Sequence, residues 1–525
     1  MKKKKNVKKA AAQPESLLRR NSTGAPLLWR QGNPLWERVS QCFGLLILTV
    51  FPLLIGPGLY TNITETKFTI FAVLTALYVL LCALGLVLFC LAKRSGGRME
   101  GPGRLRLTAP QVLLAAYMAW AALSAALSPY DRLWLGQSRF EGLLSLLLYG
   151  VVFLLLSFWG EYTDAYAYGL GIMGTVAGFF ALQQSLGSTL FYMEGDYWKY
   201  HFLTTIGHED CVACLVCVLI PALLCAFVLL RNPRRYVCLP ALFFMAYITV
   251  FTDVDTAKIG FLTVFLVLPW LVESRERLQE LLLGLVPLAL GVCCGFLNPR
   301  SRAAAPRYGV VICLAAAALL ALAVWLMSRR PRTWAVKPAV IRRFAYLLML
   351  AVLLLALVLV YGYRGDNRLV QEASELLHGH LSDEAGTVRG YIWKKTVLII
   401  KEHPVFGGGP GSSATLFQPY NEGYQAVIHN QDVVDFPHND FLMVAACTGL
   451  VGLGLYLAFL ITLAVRCLKA ARRSPVLLIF LAGMAGYLVY SAFVFSIAIV
   501  SPLFWVLAGL ADKCVRQTTA GQEPQ

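Results

Sequence analysis

The sequence predicts an all-α, polytopic membrane protein, and three observations carry that prediction. The chain of 525 residues is 58% hydrophobic and only 14% charged, where soluble globular chains carry about 25% charged residues. Its mean hydropathy is +0.64. Apolar runs of about 20 residues, long enough to cross about 30 Å of hydrocarbon, recur from Cys42 to Ala511. Such segments must satisfy their backbone internally, so they are helices.

Hydropathy picks out about 12–14 transmembrane helices. The candidate spans fall near 41–60, 68–92, 108–127, 142–160, 165–187, 210–230, 235–252, 257–273, 279–297, 308–328, 342–363, 440–465, 475–493 and 496–511. Four loops are basic. One holds Lys93, Arg94, Arg98, Arg104 and Arg106, and the next holds Arg231, Arg234 and Arg235. The third runs from Arg329 to Arg343, and the fourth spans Arg466, Lys469, Arg472 and Arg473. Lys and Arg favour the cytoplasmic side, and with the basic N-terminus inside all four fall there. The loop NPRSRAAAPR, with Arg300, Arg302 and Arg307, counts to the opposite side. A misread pair of spans around it would leave the parity downstream unchanged.

The N-terminal MKKKKNVKKAAAQPESLLRR has no apolar core or cleavage site and reads as a basic tail near anionic lipid. No nucleic-acid partner is expected, because no aromatic-interleaved basic module follows it. Nearly all of the 14 cysteines lie in apolar segments, where Cys acts as a small hydrophobe. Even CVACLVC continues straight into a membrane helix, so Cys211, Cys214 and Cys217 read as helix packing rather than a cluster site.

On the non-basic side two loops are long, about Ser188–Glu209 and about Arg364–Pro437. A loop that long is usually functional or disordered. The second is patterned: NRLVQEASELLHGHL has apolar residues at helical spacing, and TVRGYIWKKTVLIIKEHP reads as a helix stopped by Pro404. On it Arg389 and Trp393, four apart, share a face. Arg is a natural phosphate clamp, and Trp can stack on a sugar. HPVFGGGPGSS is a glycine-rich turn in which Gly408 and Gly409 allow close backbone approach. His438 follows Pro437 at a helix start, where an imidazole can take a proton from a hydroxyl. Asn439 or Asp440 can cap that helix. Two earlier loops add Arg139, in WLGQSRFEG, and Lys258, beside Asp253 and Asp255. Arg139, Lys258 and Arg389 would make a cationic pocket for a pyrophosphate.

This constellation resembles the O-antigen ligase family and its polysaccharide-polymerase relatives. The family's late signature of His, then Asn, Ser or Gln, nine residues and Gly-x-x-Gly is matched by His438, Asn439, Gly449 and Gly452. The upstream Arg, HP and glycine turn are matched by Arg389, His403-Pro404 and FGGGPG, with Trp393 four after the Arg; Arg139 fits the family's earlier cation. IGHEDCVACL resembles a segment that usually reads Gly-Asn-x-Asn. The coherent match runs from about Gly386 to Leu455. The chain departs at Cys447, where the family often has Glu, at Asp255-Thr256, where it has Ser-Arg, and at His208-Glu209-Asp210, where it has amides.

The resemblance implies a C-type glycosyltransferase-like bundle in the cytoplasmic membrane of a bacterium, with the active site facing outside. Its division would be a cytosolic tail at 1–38, a bundle at 39–363, a catalytic loop at 364–437, C-terminal spans at 438–512 and a tail at 513–525. The donor would be an undecaprenyl-pyrophosphate-linked glycan, the acceptor a hydroxyl of a glycan, lipid or protein, and membrane lipid would surround both. Arg389 and His438 would be catalytic. Arg139, Lys258, Trp393, Gly408, Gly409 and Asn439 would bind pyrophosphate or glycan. The transfer would invert the anomeric carbon with neither metal nor cofactor. A repeat-unit polymerase fits the same residues. A lipid-linked glycan flippase would be expected to show inverted repeats and midplane-broken helices, and no repeat is evident. A wall polymerase using Asp253 or Asp255 would leave the His-Asn signature without a role.

Overall fold

The computed structural model describes residues 35–95, 106–137, 139–187, 204–303, 306–329, 337–365, 368–380 and 382–520. The first 34 residues, most of the first basic loop and residues 188–203 of the first long loop, with His201, lie outside them. The described residues form an all-helical bundle, and each of the fourteen apolar segments is found as a helix or a broken helix. In chain order they are α1 (Leu35–Leu45), α2 (Ile63–Arg94), α3 (Ala109–Leu127), α4 (Leu143–Trp159), α5 (Ala165–Ser185), α6 (Glu209–Leu229), α7 (Cys238–Thr252), α8 (Asp255–Gly260), α9 (Thr263–Leu271), α10 (Arg275–Leu297), α11 (Gly309–Ser328) and α12 (Pro338–Tyr361). The large loop carries α13 (Arg368–Leu377), α14 (Ala385–Glu402), α15 (Ser413–Phe417) and α16 (Asn421–Ile428). The chain ends with α17 (Asp440–Ala471), α18 (Leu477–Ser491) and α19 (Ser501–Ala520).

Among the described residues nine helices are long and apolar enough to cross a membrane. The shortfall from fourteen has local causes. α4 and α18 are short. The segment at 257–273 breaks between α8 and α9, and α1 gives way to a π-turn at Leu46–Val50. α19 carries Asp512, Lys513 and Arg516. α6 is wholly buried at the centre, whereas α11 and α12 are almost entirely exposed, as lipid-facing helices are. Cys211, Cys214 and Cys217 are buried along α6. A side chain at Gly260 or Gly486 would strike Cys217, so helices close up on that thiol's face.

The two ends of the bundle differ in charge. At one, Arg231 pairs with Glu276, Arg235 with Glu280, Arg277 and Arg342 with Glu273, and Arg466 with the fully buried Asp512. Thr108 there caps α3 in a reciprocal pair with Gln111 and also donates to Asp512. Arg466 stands 26 residues along α17 from Asp440, about 39 Å at the helical rise, and so far from the other end. There the large loop meets the start of α4, α6 and α17. The Arg300–Arg302 loop belongs to this second end, since Arg302 pairs with Glu209 at the head of α6. The helices flanking it, α10 and α11, pack together, so they are a pair of helices rather than a misread segment, and the loop's Arg302 has an acidic partner.

Candidate functional site

Two breaks in helical backbone build the site. In α17, Gly449 has φ 72° and ψ 177°, a glycine conformation in mid-helix. The break frees carbonyls that the glycine-rich turn then meets: Gly408 N–H donates to Ala446 O at 2.9 Å, Gly409 N–H to Cys447 O at 2.7 Å, and Leu450 N–H to Pro404 O at 2.8 Å. Ser124 of α3 donates to both Phe406 O and Cys447 O, and Ser128 to Gly408 O. The turn is therefore a dock onto α17. The amides of Gly408 and Gly409, which the resemblance assigns to binding pyrophosphate or glycan, are engaged in it.

The second break begins α14. Gly386, Thr387 and Val388 are left-handed in succession, which is costly for Thr and above all for the β-branched Val388. Arg389 follows directly. Its Nε donates to Phe493 O at 3.1 Å, and its Nη1 to Gly386 O at 2.9 Å and Thr387 Oγ1 at 3.1 Å. Glu372 of α13 accepts from Gly386 N–H at 3.0 Å and so ties the turn from outside. Burial lowers the Arg389 pKa, while Asp210, Asp255 and Glu372 counter it from nearby. One helical turn on, Trp393 Nε1 donates to Pro437 O at 2.9 Å, holding the residue before His438.

His438 is itself left-handed, with φ 49°. Its ring meets Phe495 edge-on at 5.5 Å, and its buried Nδ1 has no hydrogen-bond partner among the described residues. Burial above all, then Arg389 and Arg139, pull its pKa down to about 3, with Asp435 opposing. The imidazole is neutral. Asn439 caps α17 through Leu442 N–H at 3.0 Å and donates to Ala492 O at 2.9 Å, so both ends of its amide lock α17 to the end of α18.

The three cations differ in their partners. Arg139 binds Asp435 with two hydrogen bonds, 3.0 and 2.9 Å, and lies between the rings of Phe436 and Phe495. Lys258 is held by Asp253 at 2.7 Å and Asp255 at 2.8 Å. Among the described residues Arg389, unlike the other two, makes no direct carboxylate contact. His208 accepts from Asp210 N–H at 3.2 Å as the cap of α6 and approaches Phe495 at 6.3 Å. His438, Arg389, Arg139 and Trp393 thus come together, Lys258 sits at the edge through Asp255, and Gly408, Gly409 and Asn439 serve the framework.

Beneath this cluster lies a cavity of about 80 Å³ whose walls include Glu141, Asp440, Tyr149, Tyr456 and Trp505. Neither acid stood out as a functional residue from the sequence. Tyr149 donates to Glu141 Oε1 at 3.0 Å. Burial holds the Glu141 carboxyl well above the usual carboxylate range, and the nearby Asp440 adds to the effect. Cys447 also faces this cavity. The available signal was local: each acid stands two residues beyond a singled-out group, Glu141 after Arg139 and Asp440 after His438.

Fold and site together define a multi-pass, all-helical membrane protein with a buried polar centre at one end of its bundle. Residues 307–457 match the family model described as O-Antigen ligase. That segment contains both Arg389 and His438, so the likeness to the O-antigen ligase family covers the two residues on which the site turns. No curated protein matches the chain.

Proposed function

We propose that this protein transfers a glycan from an undecaprenyl-pyrophosphate carrier to an acceptor hydroxyl at the outer face of the cytoplasmic membrane. The observation that carries the reading is the meeting of Arg389, which touches no carboxylate among the described residues, with a neutral His438. The acceptor oxygen attacks the anomeric carbon, the bond to the pyrophosphate oxygen breaks, and the electron pair leaves with the pyrophosphate. Inversion follows from direct displacement. Arg389 stabilises the charge that develops on the leaving group, and Arg139 joins it as Asp435 yields one of its two hydrogen bonds.

His438 orients the acceptor hydroxyl and takes its proton. Burial first, and then the two arginines, hold the imidazole non-basic. A pyrophosphate anion between them offsets their field and raises its basicity, so proton removal is coupled to donor binding. The outward orientation rests on the gathering of basic loops at the opposite end of the bundle. Ligation and repeat-unit polymerisation share this chemistry and differ in acceptor. The test is transfer by purified protein in liposomes: Arg389→Ala and His438→Ala should each lose at least about a hundredfold in rate while still inserting. Full activity in both would overturn the assignment.

A further inference from the structure

Arg389 is aimed by a strained piece of backbone. Gly386, Thr387 and Val388 have φ of 61°, 55° and 67°. Glycine takes this left-handed region freely, but Thr and the β-branched Val do not. Right-handed backbone at either of the two would swing Gly386 O and Thr387 Oγ1 away from the guanidinium that donates to them at 2.9 and 3.1 Å. The turn therefore needs a hold from outside its own residues.

Two of its neighbouring amides are held locally, Val388 N–H by Glu384 O and Tyr391 N–H by Asp383 O, each at 3.2 Å. The hold from another element is Glu372 of α13, whose Oε2 accepts from Gly386 N–H at 3.0 Å. Gly386 is thus gripped on both sides, its N–H by Glu372 and its carbonyl by Arg389. α13 makes a firm anchor. It packs on both α12 and α14. His378 stacks on Tyr361 at the end of α12, with ring centroids 4.1 Å apart, and the buried Ser374 donates to Tyr361 O at 3.3 Å.

The charge of Glu372 is the lesser part of its role. Burial disfavours the Arg389 cation, and Asp210, Asp255 and then Glu372 support it, in that order. Two carboxylates remain when Glu372 is neutralised, whereas its hydrogen bond to the turn has no substitute among the described residues. We infer that Glu372 is a positioning residue for the transfer: it keeps the Gly386–Val388 turn left-handed and so fixes the Arg389 guanidinium where the leaving pyrophosphate develops its charge. The inference rests on the glycosyl-transfer reading for the step it serves, but the turn itself is read without turnover.

The same variants, in lipid nanodiscs, are assayed for transfer and for hydrogen–deuterium exchange of residues 385–391 by mass spectrometry. E372A removes the acceptor and should lower kcat about tenfold, the worth of one charge-assisted hydrogen bond, with acceptor KM changed by less than about twofold. E372Q keeps an acceptor oxygen without the charge and should recover most of that loss. V388G removes the residue that resists the turn most, so adding E372A to V388G should cost only about twofold. Exchange should follow the same order: raised in E372A, near wild type in E372Q, and raised less by E372A when V388G is present. A group acting only by charge would lose as much in E372Q as in E372A. A group that merely holds the fold would not be bypassed by V388G. Either result, or unchanged kcat or exchange in E372A, would overturn the inference. If wild-type protein forms no glycoside, the transfer reading fails instead, and the exchange pattern alone then decides whether Glu372 holds the turn.

Discussion

Replacing Gly449 with Ala isolates the break on which the site is built. The position has φ 72° and ψ 177°, and a Cβ there would collide with the carbonyl of Val405. Backbone in this region costs a non-glycine residue about 1–3 kcal/mol. Relieving the collision by moving the turn away breaks the three backbone bonds at Gly408, Gly409 and Leu450, at about 1 kcal/mol each. The expected loss is about 4–6 kcal/mol. Five residues on, Gly454 is helical, exposed and has no atom within 4 Å of its would-be Cβ. Gly454→Ala should be neutral or stabilise by up to about 1 kcal/mol. Chemical unfolding in mixed micelles measures both variants. Equal stability of the two would refute the claim that the glycine turn is held by the broken α17.

Other outcomes follow from the same geometry. Arg389→Lys keeps the charge but loses the fork that grips Phe493 O and Gly386 O together, so transfer should stay below a tenth of wild type, assayed by product formation. A double-mutant cycle on Arg139→Ala and Asp435→Ala should give a coupling of about 1–2 kcal/mol, since the pair is bidentate yet about a quarter exposed. For His438 the folded pKa is about 3 against 6.5. The unfolded chain binds the extra proton between those values, so stability is full above pH 6.5. It falls with acidification by about 1.4 kcal/mol per pH unit, down to pH 3. His438→Asn should flatten that slope in pH-dependent unfolding.

Much of the architecture was legible because bilayer helices announce themselves in one dimension. α13 and α14 were also readable from their spacing, and Arg389 and His438 from a motif whose order survives in the fold. What stayed hidden depends on contacts between distant parts of the chain. Asp435 lies 296 positions from Arg139, so nothing in WLGQSRFEG marks that arginine as paired. The glycines at 407–409 signal close approach in sequence, but only the carbonyls of Ala446 and Cys447 show that the approach is to protein backbone. Cys447 itself, where the family often has Glu, accepts from Gly409 and Ser124 through its carbonyl and lines the cavity beside Glu141. Hydropathy marks each apolar run but not its interruptions, and α4, α8, α9 and α18 are short or broken helices.

The account stands most directly on whether a glycosidic bond is made. Purified protein in liposomes is given an undecaprenyl-pyrophosphate-linked glycan and a hydroxyl acceptor. The account predicts a new glycoside of inverted anomeric configuration and one released undecaprenyl pyrophosphate per bond, both lost in Arg389→Ala. Movement of the intact lipid-linked glycan between leaflets with no bond formed would contradict it.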